Sequence, residues 1–327
     1  MPLYASIDVG SNTIRLLIGS IEGNRVIDVY ADRKTTRLGN KVDQTGRLQD
    51  ENIAASIKVL KDLSSVIGKY GADYTRAIAT SALREASNSD DFIKKAFDSS
   101  GISIEVISGE KEAELTLKGL LSSIPDFELF THRPPPNSVL IVDIGGGSSE
   151  WILYLDKDTV HMGSVPIGVI KLAQRFIKTD PVSETDMNAL TGEIVSVLYG
   201  LKDRIGYRID TGTRFIGTAG TFTTIASMDL GLDSYSREKV HLHTLSLNRL
   251  RAMQDKLVAL PLEQRKKVRG LEPDRADLII PGIQFTISVM EFFGFYELTI
   301  SDHGLLEGVI LDTREIIGKS ISETGKS

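Results

Sequence analysis

The sequence contains no cysteine, which excludes disulfides, thiolate metal sites and a cysteine nucleophile, though it names no compartment. No stretch approaches the roughly 18 consecutive apolar residues that a membrane-spanning helix needs, so no membrane partner is expected. The chain opens directly on a β-type run, without a basic segment and apolar core ahead of it, and a cytoplasmic location is expected. Positive charge is not in excess: 38 Lys and Arg stand against 44 Asp and Glu, a formal net charge of -6. A surface that coats polyanions is thereby disfavoured, and no nucleic-acid partner is expected. Any phosphate ligand must be held locally, by amides, a few Arg or Lys, and metal. No GxxxxGKS or GxxxxGKT loop occurs, no GxGxxG follows a strand at dinucleotide-binding spacing, and no Ser–His–Asp arrangement is evident.

What is present is a repeat. Asp8-Val9-Gly10-Ser11-Asn12-Thr13 and Asp143-Ile144-Gly145-Gly146-Gly147-Ser148 each follow a β-type run and precede another. Small residues let backbone N–H groups approach phosphate oxygens closely, and the leading Asp8 and Asp143 supply hard oxygen ligands for a divalent cation. A single such turn would be an ordinary hairpin; two with matched flanks point to two lobes facing each other across a phosphate-filled cleft. A third Gly/Thr turn, Gly217-Thr218-Ala219-Gly220-Thr221, lies between a strand and a helix. It reads equally as a helix start or as an anion site at a helix N-terminus.

The 327 residues, 41% hydrophobic and 25% charged, suffice for two domains of ordinary composition. Strands are expected at 3–8, 14–20, 25–34, 138–143, 150–155 and 159–165, with a helix over 50–70 whose apolar positions recur at helical spacing. Further helices are expected at 109–123, 274–293 (interrupted by Pro281) and 302–317, with a polar, frayed tail over 318–327. Alternating strands and helices in both halves give an α/β class. The run from His132 to Asn137, rich in proline, is the expected connector. The expected division is residues 1–132, a connector at 133–137, 138–301, and a terminal helix in 302–327 that returns to the first lobe.

Further along, the chain resembles the exopolyphosphatase/guanosine-pentaphosphate phosphatase (Ppx/GppA) family. The matching segments are DVGSNTIRLLI (8–18), RLG (37–39), ATSALREASN (79–88), ISGEKEAEL (107–115), DIGGGSSE (143–150), GSVPIGVIKLA (163–173), GTAGTFTTIA (217–226), RADLIIPGI (275–283) and SDHGLLEG (301–308). The resemblance implies two ribonuclease-H-like lobes of the actin, sugar-kinase and Hsp70 superfamily with an interlobe cleft. It implies an exopolyphosphatase that releases orthophosphate from inorganic polyphosphate, with guanosine pentaphosphate as the alternative substrate. By the same resemblance Asp143 and Glu150 hold Mg²⁺ (or Mn²⁺). Gly10, Ser11, Asn12, Thr13, Gly145, Gly146, Gly147 and Ser148 cradle phosphates, and Gly217, Thr218, Gly220 and Thr221 join them. Glu112 is the general base, Arg84 a bidentate phosphate partner, and Arg37 of the RLG segment a further phosphate contact. From spacing alone Glu112 reads as an acidic residue complementing a helix dipole and Arg84 as a surface charge.

The chain departs from the family pattern at Leu306, where the family usually has Arg, and at Lys111, where Glu is usual. It also lacks the helical C-terminal region of long members, from which a preference for short polyphosphate is expected. A homodimer is possible on this reading. Two other classes are weighed: an ATP-dependent kinase of the same superfamily, and an actin-like assembling nucleotide binder. His241 and His243, two apart on an expected strand, read as structural. Arg265, Lys266, Lys267 and Arg269 form the densest basic cluster, either a solvated face or an exit for a long polyanion.

Overall fold

A computed structural model describes residues 1–124, 138–156, 159–205 and 208–324. The expected connector at 133–137 lies outside the described residues. The chain forms two compact units, one of Met1–Pro125 with His303–Ser327 and one of Asp126–Asp302.

The first unit begins with β1 (Tyr4–Val9), β2 (Thr13–Glu22) and β3 (Arg25–Thr35). A helical turn α1 (Val42–Thr45) and the long helix α2 (Asp50–Tyr70) precede β4 (Tyr74–Ala79). Then come α3 (Ser81–Glu85), α4 (Ser89–Ser100), β5 (Ile104–Val106) and α5 (Gly109–Ser123). The sheet order is β3-β2-β1-β4-β5, with β2 and β3 antiparallel to their neighbours and β4 and β5 parallel to β1. This is the ribonuclease-H-like arrangement. All six residues of β1 are buried, as befits a central strand covered on both faces. Helix α2 turns Ile53, Leu60, Leu63 and Ile67 inward, one apolar stripe at helical period. It stops at Gly71, whose φ of 64° closes the helix by donating to the Ile67 carbonyl.

The second unit repeats the plan with β6 (Ser138–Ile144), β7 (Ser149–Asp156) and β8 (Thr159–Val165). These are followed by α6 (Val169–Phe176), α7 (Glu184–Ile205), β9 (Thr213–Thr218), α8 (Ala219–Asp229) and α9 (Arg237–Val240). The run ends with β10 (Thr244–Ser246), α10 (Leu247–Val258), α11 (Leu262–Arg265), α12 (Ile279–Phe293) and β11 (Glu297–Ser301). Its order, β10-β11-β9-β6-β7-β8, matches the first sheet with one extra antiparallel edge strand. The last helix, α13 (Leu305–Thr324), belongs to the first unit. There Leu305 and Val309 pack with Ile78, Ile107 and Leu115, and Ile310 and Leu311 pack with Tyr4, Leu17 and Val26.

Four details differ from the sequence expectation. Pro281 does not interrupt a helix: α12 starts only at Ile279, so Pro281 sits in the first turn, where its missing N–H has no partner to lose. Helix α13 starts later than 302 because the buried Glu307 carboxylate accepts from the Gly304 N–H and fixes the helix start there, and it continues to 324. His241 and His243 do not share a strand: Leu242 between them turns with φ 62°, and the strand begins at Thr244. The basic cluster is not wholly a solvated face. Arg265 is buried and pairs with Asp180, Lys266 pairs with Glu263 and Arg269 with Asp233.

Candidate active site

The two Asp-led turns have the same internal geometry. Gly10 donates to the Thr13 carbonyl at 3.0 Å, and Gly145 donates to the Ser148 carbonyl at 3.1 Å. Each turn is buttressed by a segment that arrives from the third strand of its own sheet and contains a glycine. In the first unit Gly39 donates to the Ser11 carbonyl at 2.7 Å, and the amides of Thr36 and Arg37 meet the Asn12 carbonyl. A Cβ on Gly39 would stand 2.6 Å from the Ser11 Cβ, so only glycine fits. Arg37 itself is held with φ 53°. In the second unit Val169 donates to the Gly145 carbonyl and Ile170 to that of Gly146. A Cβ on Gly168 would lie 2.5 Å from the Gly146 carbonyl. The motif glycines 39 and 168 therefore shape the turns from behind.

What the turns carry differs. In register across the first hairpin, Asp8 faces Arg15; across the second, Asp143 faces Glu150. The spacing is seven residues in both. Asp8 is buried, and its Oδ2 accepts from Arg15 Nε at 2.9 Å and Nη2 at 2.7 Å. Its Oδ1 is buried with no hydrogen-bond partner among the described residues. Asp143 and Glu150 are both buried. Glu150 Oε1 accepts from the hydroxyls of Ser148 at 2.9 Å and Ser164 at 2.8 Å. Two carboxylates directly opposite on an antiparallel pair repel each other unless a cation bridges them.

Hard oxygens in this arrangement fit Mg²⁺ or Mn²⁺. No group of three or more His, Cys, Asp or Glu among the described residues could hold a metal ion. A cation here would therefore complete its shell with water and phosphate oxygens, as Mg²⁺ commonly does.

The third turn belongs to the same neighbourhood. Thr218 pairs with Asp143 across β9 and β6, and the Thr221 hydroxyl donates to the Ile144 carbonyl at 2.9 Å. Ala219 is held at φ 68°, a left-handed conformation uncommon for a residue with a Cβ. Above Gly220 lies the Arg275 guanidinium, which a Cβ there would overlap. Arg275 also reaches Glu272 at 3.1 Å and the Thr224 hydroxyl at 3.3 Å.

In the first unit α3 follows β4 and α5 follows β5, so Arg84 and Glu112 emerge at the same sheet end as Asp8, where strand order reverses and ligands of α/β sheets bind. Glu112, in the first turn of α5, is buried. Arg84 Nη1 donates to its Oε2 at 2.8 Å and to the Ile107 carbonyl at 3.0 Å. Arg84 thus holds the carboxylate expected to act as base, in addition to any phosphate role.

Sequence reasoning did not single out Arg15, Ser164, Gly168 or Arg275. Overlaying the two repeats residue by residue finds Arg15, which stands at the Glu150 position. Arg275 stands in a recognised motif, but its place over Gly220 depends on a contact 55 residues distant in sequence.

The profile of the Ppx/GppA phosphatase family matches residues 17–315. The chain belongs to that family. Among its relatives, a bifunctional 3-dehydroquinate synthase/phosphatase of Fusobacterium nucleatum is 32% identical over 324 residues, covering 95% of this chain and 46% of that protein. Exopolyphosphatase 2 of Mycobacterium tuberculosis is 29% identical, covering 94% of this chain and 97% of that one. The crystal structure of the Aquifex aeolicus member of the Ppx/GppA family superposes with a TM-score of 0.77 at 30% identity, covering 97% of this chain and 98% of that one. The family is one of phosphatases.

Proposed function

We propose that this protein is an exopolyphosphatase that hydrolyses the terminal phosphoanhydride of inorganic polyphosphate, with Asp143 and Glu150 holding Mg²⁺ or Mn²⁺. The observation that supports the reading is the matched hairpins: the register that sets Arg15 opposite Asp8 sets a second buried carboxylate, Glu150, opposite Asp143. The turn amides of Gly10–Asn12 and Gly145–Ser148 bind phosphate oxygens, and Arg275 adds a cation beside Gly220. When bound, the metal supplies positive charge to the phosphoryl oxygens as the anhydride breaks. Glu112 orients a water and takes its proton, while Arg84 fixes the carboxylate through Oε2. The water oxygen bonds to the terminal phosphorus, the bond to the bridging oxygen breaks, and the electron pair leaves with the shortened chain. Orthophosphate is released.

The test is orthophosphate release from polyphosphate by wild type and Glu112→Gln, with guanosine pentaphosphate assayed alongside. Loss of the base is expected to slow release about 10²- to 10⁴-fold. A variant as fast as wild type would remove Glu112 from the mechanism. Release from guanosine pentaphosphate with none from polyphosphate would reassign the substrate, and ADP formation dependent on an acceptor would point to a kinase.

A further inference from the structure

Helix α13 crosses α5, the helix that bears Glu112, at a separation only glycine permits. A Cβ on Gly119 would overlap the Gly304 carbonyl, and one on Gly308 would overlap the carbonyl of Leu115. At these glycines the two backbones meet directly, while Leu305 and Val309 of α13 pack with Leu115 of α5 beside them. One turn beyond Gly308, the buried Asp312 accepts from Arg76 of β4 at 2.6 Å, from Lys118 at 3.2 Å and from Lys111 at 3.4 Å. Lys111 immediately precedes Glu112, and Lys118 lies about 10 Å further along α5 at 1.5 Å per residue. Lys118 also meets Glu315, Lys111 meets Glu114, and Arg76 meets Glu105. Burial pushes the Asp312 carboxyl up, but hydrogen bonds from Arg76 and Lys118 and the charges of Lys111 and Lys118 outweigh it. The carboxyl stays below its ordinary value and remains ionised.

We infer that Asp312 is a positioning residue for Glu112: through Lys111 and Lys118 it fixes the axial register of α5 on α13, and with it the place of the Glu112 carboxylate. The inference rests on Glu112 being the general base. Its leverage is steep, because a displacement of about 1 Å in a catalytic group can cost up to about 10²-fold in rate.

The experiment measures orthophosphate release by the full chain carrying Asp312→Asn, which keeps the shape and removes the charge. We expect kcat to fall about tenfold with KM changed less than about twofold, and Asp312→Glu to restore part of the loss. The deciding measurement is Asp312→Asn in the Glu112→Gln background. There it should cost nothing further in residual rate, because no base remains to be placed. The same fold-loss in both backgrounds would show that Asp312 supports the fold generally and would overturn the inference. Should Asp312→Asn fail to fold, Lys111→Met at a half-exposed position serves instead, with a smaller loss that vanishes in the same background; unchanged kcat would refute the proposal. Full activity of Glu112→Gln alone would remove the base and this inference with it, an outcome distinct from failure of Asp312.

Discussion

Replacing Glu150 by Gln should make the metal-free protein more stable and deaf to magnesium. Asp143 and Glu150 lie directly opposite in the β6–β7 ladder, both buried. At a separation of about 5 Å and an effective dielectric of about 20, their repulsion is about 3 kcal/mol. The substituted amide keeps an oxygen that can accept from the Ser148 and Ser164 hydroxyls, so little hydrogen bonding is lost with the charge. With other nearby groups partly screening the pair, the expected gain is about 1–3 kcal/mol. That is a rise of about 2–10 °C in the unfolding midpoint for a unit of this size. The assay is thermal unfolding of wild type and Glu150→Gln in chelator and again in millimolar Mg²⁺. Wild type should rise on adding Mg²⁺, since a ligand that binds only the folded state stabilises it, and the variant should not. A variant less stable than wild type in chelator, or one that gains as much from Mg²⁺, would refute the idea that this carboxylate pair binds the cation.

Arg275→Gln removes the cation over Gly220 and should raise KM for polyphosphate about tenfold with a smaller effect on kcat, measured by initial rates; an unchanged KM would take Arg275 out of the substrate path. Asp312 has its carboxyl held below the ordinary value in the folded state. The sign follows: its contribution is complete above the unfolded-state value and is lost as pH falls through the folded one. Asp312→Asn should therefore flatten the acid limb of the stability–pH curve and lower stability at neutral pH, and a parallel downward shift at all pH values would contradict this.

Much of the fold could be read because its signals are local. The hairpins around Gly10 and Gly145 announce themselves through a leading Asp, small residues and flanking apolar runs. Ser108 caps α5 by accepting from Lys111, so that helix begins where its sequence says. The proline-bearing start of α12 was harder, since Pro281 is compatible with either an interruption or a first turn, and the 3₁₀ turn Pro273–Arg275 ahead of it decides the matter. The site was legible in its backbone and poorly legible in its pairings. Asp8 and Asp143 look alike in their turns, and strand register sets an arginine opposite one and a glutamate opposite the other. Arg84 and Glu112 are 28 residues apart, joined because α3 and α5 leave adjacent parallel strands at the same end. Likewise, Arg265 looks solvated in a row of cations, yet burial against Asp180 is a tertiary matter that no local pattern encodes.

The assignment of α13 to the first unit has a consequence for biosynthesis. Everything the second sheet needs emerges from the ribosome as one uninterrupted stretch, so that unit can complete itself while translation proceeds. The first unit, although begun earlier, must wait with Tyr4, Leu17, Ile78 and Leu115 uncovered until residues 305–311 arrive to seal them. The half that is made first is therefore the half that finishes last, and the helix carrying the proposed base gains its glycine-lined neighbour only at that final step.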